Sequence, residues 1–580
     1  MLQIADLIKN HCISYLKINN VSEEDISKVN FVVDINKDIN RGDLYTNFAL
    51  VTSKILGKNP IVIAINLTEY LNQNLDQNIF QKIEAADAYV NFYLNENYQI
   101  SESKNINHED FTGKKIAYEY TDPNPMKEFH IGHLMSNTIG ESLSRIAELA
   151  GAGIKRYSYQ GDAGKHLATT MWGLRFMESS WPDADDISIT DKVKYLGQCY
   201  VIGNTKLKEA KEKGEDSEEY KKCVAEIEVM NQKIYDRSDA EVNALYDQAR
   251  EWSLQKFEEL YDILGTKFDH YFFESKSAPV GLEIINENLK STNTIFSKGE
   301  NDAIIFKGED FGLHTRVFIN SKGLPTYEGK EIGLAKQKYD LWNFDKSFVI
   351  TANEQNDAFK VTTKVISMLM PEIGSKMNHI GHGMMRFVGE KMSSRTGKII
   401  AGDELVEDMM QGSYEKMKDR EFDENEKKNI ARDVAVAAIK FSILKQNFRK
   451  DIVFDKEKAL SLEGDSGPYI QYAIVRINSV LKKVEGLEQV ENQQTDESIL
   501  LKRTLWRYEN YCYKAIEESA PQYIAQYLID LASKFNAFYN KNKIIEGDKV
   551  NKDFLDLCVK TKEVLSKGLY TLGIRTVERM

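Results

Sequence analysis

The sequence is poor in the residues that staple, punctuate or anchor a chain. Its 580 residues include only five cysteines, Cys12, Cys199, Cys223, Cys512 and Cys558. No two stand at metal-ligand spacing, and an odd count argues against a disulfide framework, so ordinary thiols in a reducing compartment are expected. Prolines number nine, and no low-complexity tract is present. No run of about 18 apolar residues occurs, which excludes a membrane-spanning helix by length. The opening MLQIADLIKNHCISYLKI sets Leu2, Ile4, Leu7, Ile8 and Ile13 between Asp6, Lys9 and Asn10. That is an amphipathic helix and not a secretory signal, so a cytoplasmic location without a membrane partner is expected. Excess positive charge is missing too. A net charge of −13 argues against nucleic acid as a bulk partner. From Phe441 onward, however, basic and acidic residues nearly balance, which leaves room for a local basic face.

What is there fits a globular protein of several domains. Hydrophobic residues at 42% and charged residues at 28% are ordinary for that class. The length exceeds one core and suggests about three to five domains. Residues 1–105 read as a small α/β module: NFVVDIN and AYVNFYLN alternate as strands, and YTNFALVTSKILG and PIVIAINLTEYLNQN read as helices. Lys114–Asp122 reads as a strand, Gly132–Gly151 as a helix and Gly153–Gly164 as a strand with a Gly-rich turn, together a βαβ unit. Residues 176–265 are charged and helical, an insertion into this domain. Strand-like pieces return in DHYFFES, NDAIIFKG, TRVFINSKG and KSFVITA, alternating with helices, which predicts a mainly parallel sheet. From Glu424 the pattern is helical, predicting an all-helical C-terminal domain.

Two short stretches carry chemistry. In DPNPMKEFHIGHL, His130 and His133 stand three residues apart at a predicted strand-to-helix junction. A helix start favours anions through its free N–H groups and dipole. Two imidazoles at i and i+3 share a face and can reach one triphosphate, and Gly132 removes a side chain where a base or phosphate must come close. The second stretch, EKMSSRTGK (390–398), is a basic, hydroxyl-rich loop. Lys391 suits a leaving pyrophosphate, and Ser393 and Ser394 suit phosphate oxygens. Either stretch alone is weak. In this order, on an α/β sheet, the pair resembles the two signatures of class I aminoacyl-tRNA synthetases.

The first stretch further resembles the arginyl-tRNA synthetase form of that signature, in Glu119, Asn124, Lys127, His130 and His133. The second signature of most class I enzymes has two lysines; Ser394 stands in place of one, and the resemblance implies that Lys127 supplies the missing cation. KFDHYFFES resembles the family segment whose acid faces the substrate guanidinium, here Glu274. GLPTYEGKEI resembles its Tyr-x-x-x-Asp segment, with Tyr327 matching and Glu331 where aspartate is usual. ANEQNDAF gives Gln355, matching a glutamine at the α-amino end of arginine. Independently of the family, carboxylates and an aromatic ring are the natural receptors of a planar guanidinium.

The resemblance implies a Rossmann-type parallel-sheet catalytic domain at 112–455, with the helical insertion at 176–265, behind an N-terminal domain at 1–105 that touches the elbow of tRNA. It implies a helical anticodon-binding domain at 456–580. The expected ATP contacts are His130, Gly132, His133, Met384, Lys391, Ser393 and Ser394, with Mg²⁺ on the phosphates and no metal ligands from protein. The expected arginine contacts are Glu119, Asn124, His133, Glu274, Tyr327, Glu331 and Gln355. The expected tRNA contacts are Asn47, Tyr469, Tyr472, Arg476 and Met580; aromatics beside a cation stack on splayed bases. The implied activity is ATP-dependent activation of L-arginine and its transfer to tRNA(Arg), by a monomer. Two rivals are a shorter small-molecule nucleotidyltransferase, which lacks the helical tail, and a catalytically silent tRNA-binding relative, against which the intact HIGH stretch argues.

Overall fold

The computed structural model describes residues 2–36, 38–95, 106–389, 401–491 and 494–580. The chain divides into two compact units. The larger comprises Asn107–Tyr472, Ala520–Ala525 and Leu569–Met580. Its centre is a five-stranded sheet in the spatial order Met377–His382, Lys346–Ala352, Lys115–Glu119, Gly153–Gln160, His270–Phe273, with every neighbouring pair parallel. The first three strands in sequence build outward in one direction, and the fourth returns on the other side of Lys115–Glu119. That reversal opens a crevice at the carboxyl ends of these strands, where open α/β sheets bind ligands. Glu119 ends the central strand, paired with Val349 on one side and Tyr157 on the other.

Two of the strand-like pieces lie outside this sheet. Ile304–Phe306 and Arg316–Ile319 join Ser297–Lys298 in a separate antiparallel sheet. The connections between them are shorter than the roughly a dozen residues a parallel crossover needs. The insertion is helical as expected, with helices Ile189–Glu212, Glu218–Asp236 and Ala240–Leu264. Leu196, Ile227, Met230, Ile234 and Trp252 pack there against Leu167, Met171 and Trp172 of the helix Lys165–Gly173.

One helix pair positions the site. Glu274–Leu289 and Tyr327–Leu341 cross closely because glycines line the contact. A Cβ on Gly281 would lie 2.0 Å from the Gly329 carbonyl oxygen, and one on Gly333 would lie 2.1 Å from that of Ser277. This approach brings the first residue of one helix, Glu274, against Lys330 of the other.

The smaller unit comprises Met1–Ile106, Ala473–Ser519 and Gln526–Gly568. A four-stranded antiparallel sheet, ordered Val33–Ile35, Leu44–Thr46, Tyr89–Leu94, Phe80–Ala86, packs on its own helices. Helices Phe48–Leu56 and Pro60–Asn74, bent 109° apart, bury Phe48, Ala49, Ile63, Ala64, Leu67 and Leu71 in that core. Gly57 ends the first with a left-handed φ of 61°. Trp506 and Tyr511, from helices far along the chain, pack against the same core, and Lys514 Nζ bonds Asp34 Oδ2 at 2.8 Å. The helical C-terminal region also carries a patch of three short strands, Glu488–Val490, Ile545–Glu546 and Lys549–Asn551. Among the described residues no single helix is long and apolar enough to cross a membrane. Four of the cysteines are buried, Cys223 is half-buried, and all five are free thiols.

Candidate active site

The segment between strand Lys115–Glu119 and helix Ile131–Leu149 is strained. Thr121, Asp122 and Met126 hold φ of 82°, 45° and 60°, each costing on the order of 1 kcal/mol or more for a non-glycine residue. Neighbours fix them. Thr121 N donates to Ser136 Oγ at 3.1 Å, Asp122 Oδ1 accepts from Tyr159 N at 2.7 Å, and Met126 N donates to Ser253 Oγ at 2.9 Å. Over-determined strain of this kind concentrates where a backbone presents groups to a ligand.

His130 is the N-cap of the following helix and His133 its third residue. His133 N donates to His130 Nδ1 at 3.4 Å, and His130 N donates to His133 Nδ1 at 3.2 Å. The two rings stack with centroids 3.5 Å apart. Burial, followed by the positive charge of Lys127, lowers the His130 pKa; burial, His130 and Lys127 hold that of His133 well down. Both rings are therefore neutral near pH 7. With each Nδ1 accepting a backbone N–H, the proton sits on Nε2, so both rings present an N–H donor. A Cβ on Gly132 would press to 3.0 Å on the His130 ring, a second reason for glycine there.

From the histidines an electrostatic chain runs to a cluster of acids. Lys127 is half-buried, its pKa lowered by burial against the pull of Glu274. Glu274 bonds Lys330 Nζ at 2.6 Å, and its pKa is raised by burial. Glu119 bonds Lys338 Nζ at 2.7 Å, an ion pair with side chains 2% and 0% exposed. Glu331 is 1% exposed, and among the described residues neither of its oxygens meets a hydrogen bond of good geometry. The Tyr327 hydroxyl is still near enough to favour its ionised form. Burial, then the negative charge of Glu119, raises Glu331 to about 8. The same two causes hold Asp122 well above the usual carboxylate range. The Tyr327 ring is 38% exposed, while its hydroxyl end is surrounded by Glu331, Glu119 and Asp122, whose charges add to burial in raising its pKa. Two acids are thus paired internally and Glu331 is not. A buried, unpaired carboxylate costs several kcal/mol unless protonated or met by a cation.

The remaining expected residues fall in different places. Asn124 abuts Gly161, where a Cβ would lie 2.0 Å from its Oδ1. Gln355 lies half-buried just past strand Lys346–Ala352, at the carboxyl edge of the sheet. Met384 is 55% exposed, its carbonyl accepting from Ile452 N at 2.9 Å. Lys391, Ser393 and Ser394 lie outside the described residues, but Ala401, just beyond them, forms a β-bridge with His130, and Gly402 N donates to Phe129 O. The described chain therefore resumes at the histidine cap.

Tyr469, Tyr472 and Arg476 share helix Gly467–Leu481 and are half-buried, not exposed. Arg476 Nη1 donates to Asn536 Oδ1 at 2.7 Å. Asn47 spends its side-chain oxygen on Val32 N at 2.8 Å, and Met580 is half-buried. Sequence reasoning missed Lys330, Lys338, Asp122, Asp162 and His166. Asp162 is 1% exposed, accepts from Ser275 N and Oγ at 2.8 Å each and pairs with Arg250 at 3.0 Å. His166 is pushed down to about 3 by burial and Lys127. The one available signal was Glu331 and Lys338 at i and i+7 on one helix face.

A family model described as "tRNA synthetases class I (R), catalytic domain" matches residues 96–456. The chain belongs to the arginyl-tRNA synthetase family. An "Arginyl tRNA synthetase N terminal domain" model matches residues 3–94 and a "DALR anticodon binding domain" model residues 470–580. Arginine--tRNA ligases of Clostridium botulinum and Fusobacterium nucleatum are 28% and 29% identical, each aligned over 100% of this chain and 99% of their own. The arginyl-tRNA synthetase structure from Thermus thermophilus shares the fold with a TM-score of 0.77 at 23% identity, covering 99% of this chain and 100% of that one. That from Plasmodium falciparum has a TM-score of 0.75 at 20% identity, covering 100% and 98%. Family matches along the whole length remove the shorter-nucleotidyltransferase alternative.

Proposed function

We infer that this chain is an arginine–tRNA ligase, activating L-arginine with ATP and transferring it to the terminal adenosine of tRNA(Arg). The observation that carries the substrate assignment is Glu331, a buried carboxylate with both oxygens unpartnered among the described residues, beside the Tyr327 ring and a short electrostatic chain away from the histidine cap. A planar guanidinium supplies two parallel N–H donors to one carboxylate and stacks on an aromatic face. By this reading Glu274 shares the guanidinium with Glu331, and Glu119, Asn124 and Gln355 receive the α-amino end.

The arginine carboxylate attacks the α-phosphate of ATP in line, giving arginyl-adenylate and pyrophosphate. The Nε2–H groups of His130 and His133 donate to phosphate oxygens as charge develops there, and the fixed rings need no reorganisation to do so. Lys127 and Lys391 neutralise the departing pyrophosphate. This end of the site is made of N–H donors, so Mg²⁺ arrives on the nucleotide phosphates. The arginyl group then passes to a ribose hydroxyl of the tRNA end, and adenosine monophosphate leaves.

By the same reading residues 1–105 touch the tRNA elbow through Asn47, residues 112–455 catalyse, and residues 456–580 read the anticodon with Tyr469, Tyr472, Arg476 and Met580, in a cytoplasmic monomer. The test is Glu331→Gln. It should raise the KM for arginine at least tenfold, as loss of a charge-assisted pair does, and leave the KM for ATP unchanged. An unchanged arginine KM would refute the receptor assignment.

A further inference from the structure

Lys330 is a buried cation that the reaction above leaves unused. It is 8% exposed and sits one residue before Glu331 on helix Tyr327–Leu341. Its Nζ donates to Glu274 Oε2 at 2.6 Å and to the Ala163 carbonyl at 3.3 Å, and it also contacts the Tyr235 hydroxyl from the helical insertion. A lysine so enclosed is stable only because its partners answer its charge. The geometry is fixed by the glycine-lined crossing of the two helices, because Glu274 and Lys330 stand on opposite sides of it.

The pairing divides the pocket. Glu119 belongs to Lys338, Asp162 to Arg250 and Glu274 to Lys330, while among the described residues Glu331 forms no ion pair and only feels the charge of Lys338. Lys330 engages only Oε2 of Glu274, so the carboxylate is held in one orientation and partly neutralised. Without Lys330 the pocket would present two unpaired carboxylates, Glu274 and Glu331. Such a pocket repels itself, stays protonated and accommodates one guanidinium poorly.

We propose that Lys330 is a positioning residue for the amino-acid site: it pins Glu274 so that the pocket offers one unpaired carboxylate and selects a side chain with a single planar positive charge. This rests on the reading of the site as an arginine receptor. Lys330 acts through Glu274 and does not touch substrate, and Tyr235 makes the insertion part of the same device.

The experiment is a double-mutant cycle on the full-length enzyme, measuring arginine-dependent charging of tRNA. Wild type must first charge tRNA with arginine; if it does not, the functional reading fails and takes this proposal with it. Given charging, Lys330→Met should raise the KM for arginine about tenfold or more with kcat and the KM for ATP within about threefold. In a Glu274→Gln background the same substitution should have little further effect, because the two act as one unit. An additive effect in that background, or an unchanged KM for arginine in Lys330→Met, overturns the proposal while leaving the functional reading intact. Tyr235→Phe keeps the apolar contacts and serves if Lys330→Met does not fold. It should raise the KM for arginine about threefold at constant ATP KM, and no change would equally overturn the proposal.

Discussion

Arginine binding should release a proton, and the affinity should fall as the solution is acidified below pH 8. The group responsible is Glu331, which burial and Glu119 push up to about 8. It is faced by Glu119 from the central strand, by Asp122 from the strained loop, by Glu274 from the neighbouring helix, and by Tyr327 and Lys338 on its own helix. In the empty protein at pH 7 it is mostly protonated; a guanidinium against it favours the ionised form and drives its pKa down. The sign follows: for an acid whose bound pKa is depressed, affinity is fully present above the free value and lost as pH falls below it. Between pH 9 and pH 6 the loss is about two orders of magnitude, or about 2.7 kcal/mol, taking one titrating group and 1.36 kcal/mol per pH unit. Titration calorimetry in buffers of different ionisation enthalpy counts the protons directly. Close to one should leave per arginine at pH 7, and Glu331→Gln should remove that release while Asp122 remains as an internal control. Tight arginine binding with no proton release, or with equal affinity at pH 6 and pH 9, would refute the reasoning. The same raised pKa makes the empty protein lose folding stability as pH rises through about 8, and arginine should offset that loss.

Three further outcomes are expected. Lys127→Ala should slow arginine- and tRNA-dependent turnover about a hundredfold, as loss of one electrostatic stabiliser does; a rate within about threefold of wild type in a turnover assay would remove Lys127 from the phosphate site. Tyr469→Ala should weaken tRNA charging with no change in the KM for ATP, and a change confined to ATP would contradict an anticodon role. Gly333→Val would drive a side chain to 2.1 Å from the Ser277 carbonyl, so it should destabilise the larger unit by about 1–3 kcal/mol in denaturant melts and raise the KM for arginine; an unchanged midpoint would show that the helix crossing relaxes freely.

The parts of this protein that could be read from sequence are those with local causes. The helix Ile131–Leu149 follows from its apolar spacing, and the histidine cap from three residues of separation. The parallel sheet was legible through alternation, but Ile304–Phe306 and Arg316–Ile319 were not separable from it, since alternation does not encode partner direction. Lys330, Lys338 and Lys440 read as ordinary helix-surface charges. Their burial is a tertiary property: Lys440 is fully enclosed, donates to the Gly573 carbonyl at 2.9 Å and is pushed down to about 7 by burial. The union of the N-terminal module with helices near the other end of the chain was equally invisible, because the pair Asp34–Lys514 leaves no local pattern. Glu331 was named from the resemblance, whereas its burial without a hydrogen bond of good geometry among the described residues could come only from the structure.

The most direct test of the central claim is a charging panel: the purified full-length protein, ATP with Mg²⁺, total tRNA and each of the twenty amino acids in turn. The account predicts that arginine alone becomes esterified to tRNA, that lysine is rejected because an ammonium cannot satisfy both oxygens of Glu331 as a guanidinium does, and that the product depends on ATP. Charging with a different amino acid, or none with arginine, would contradict it.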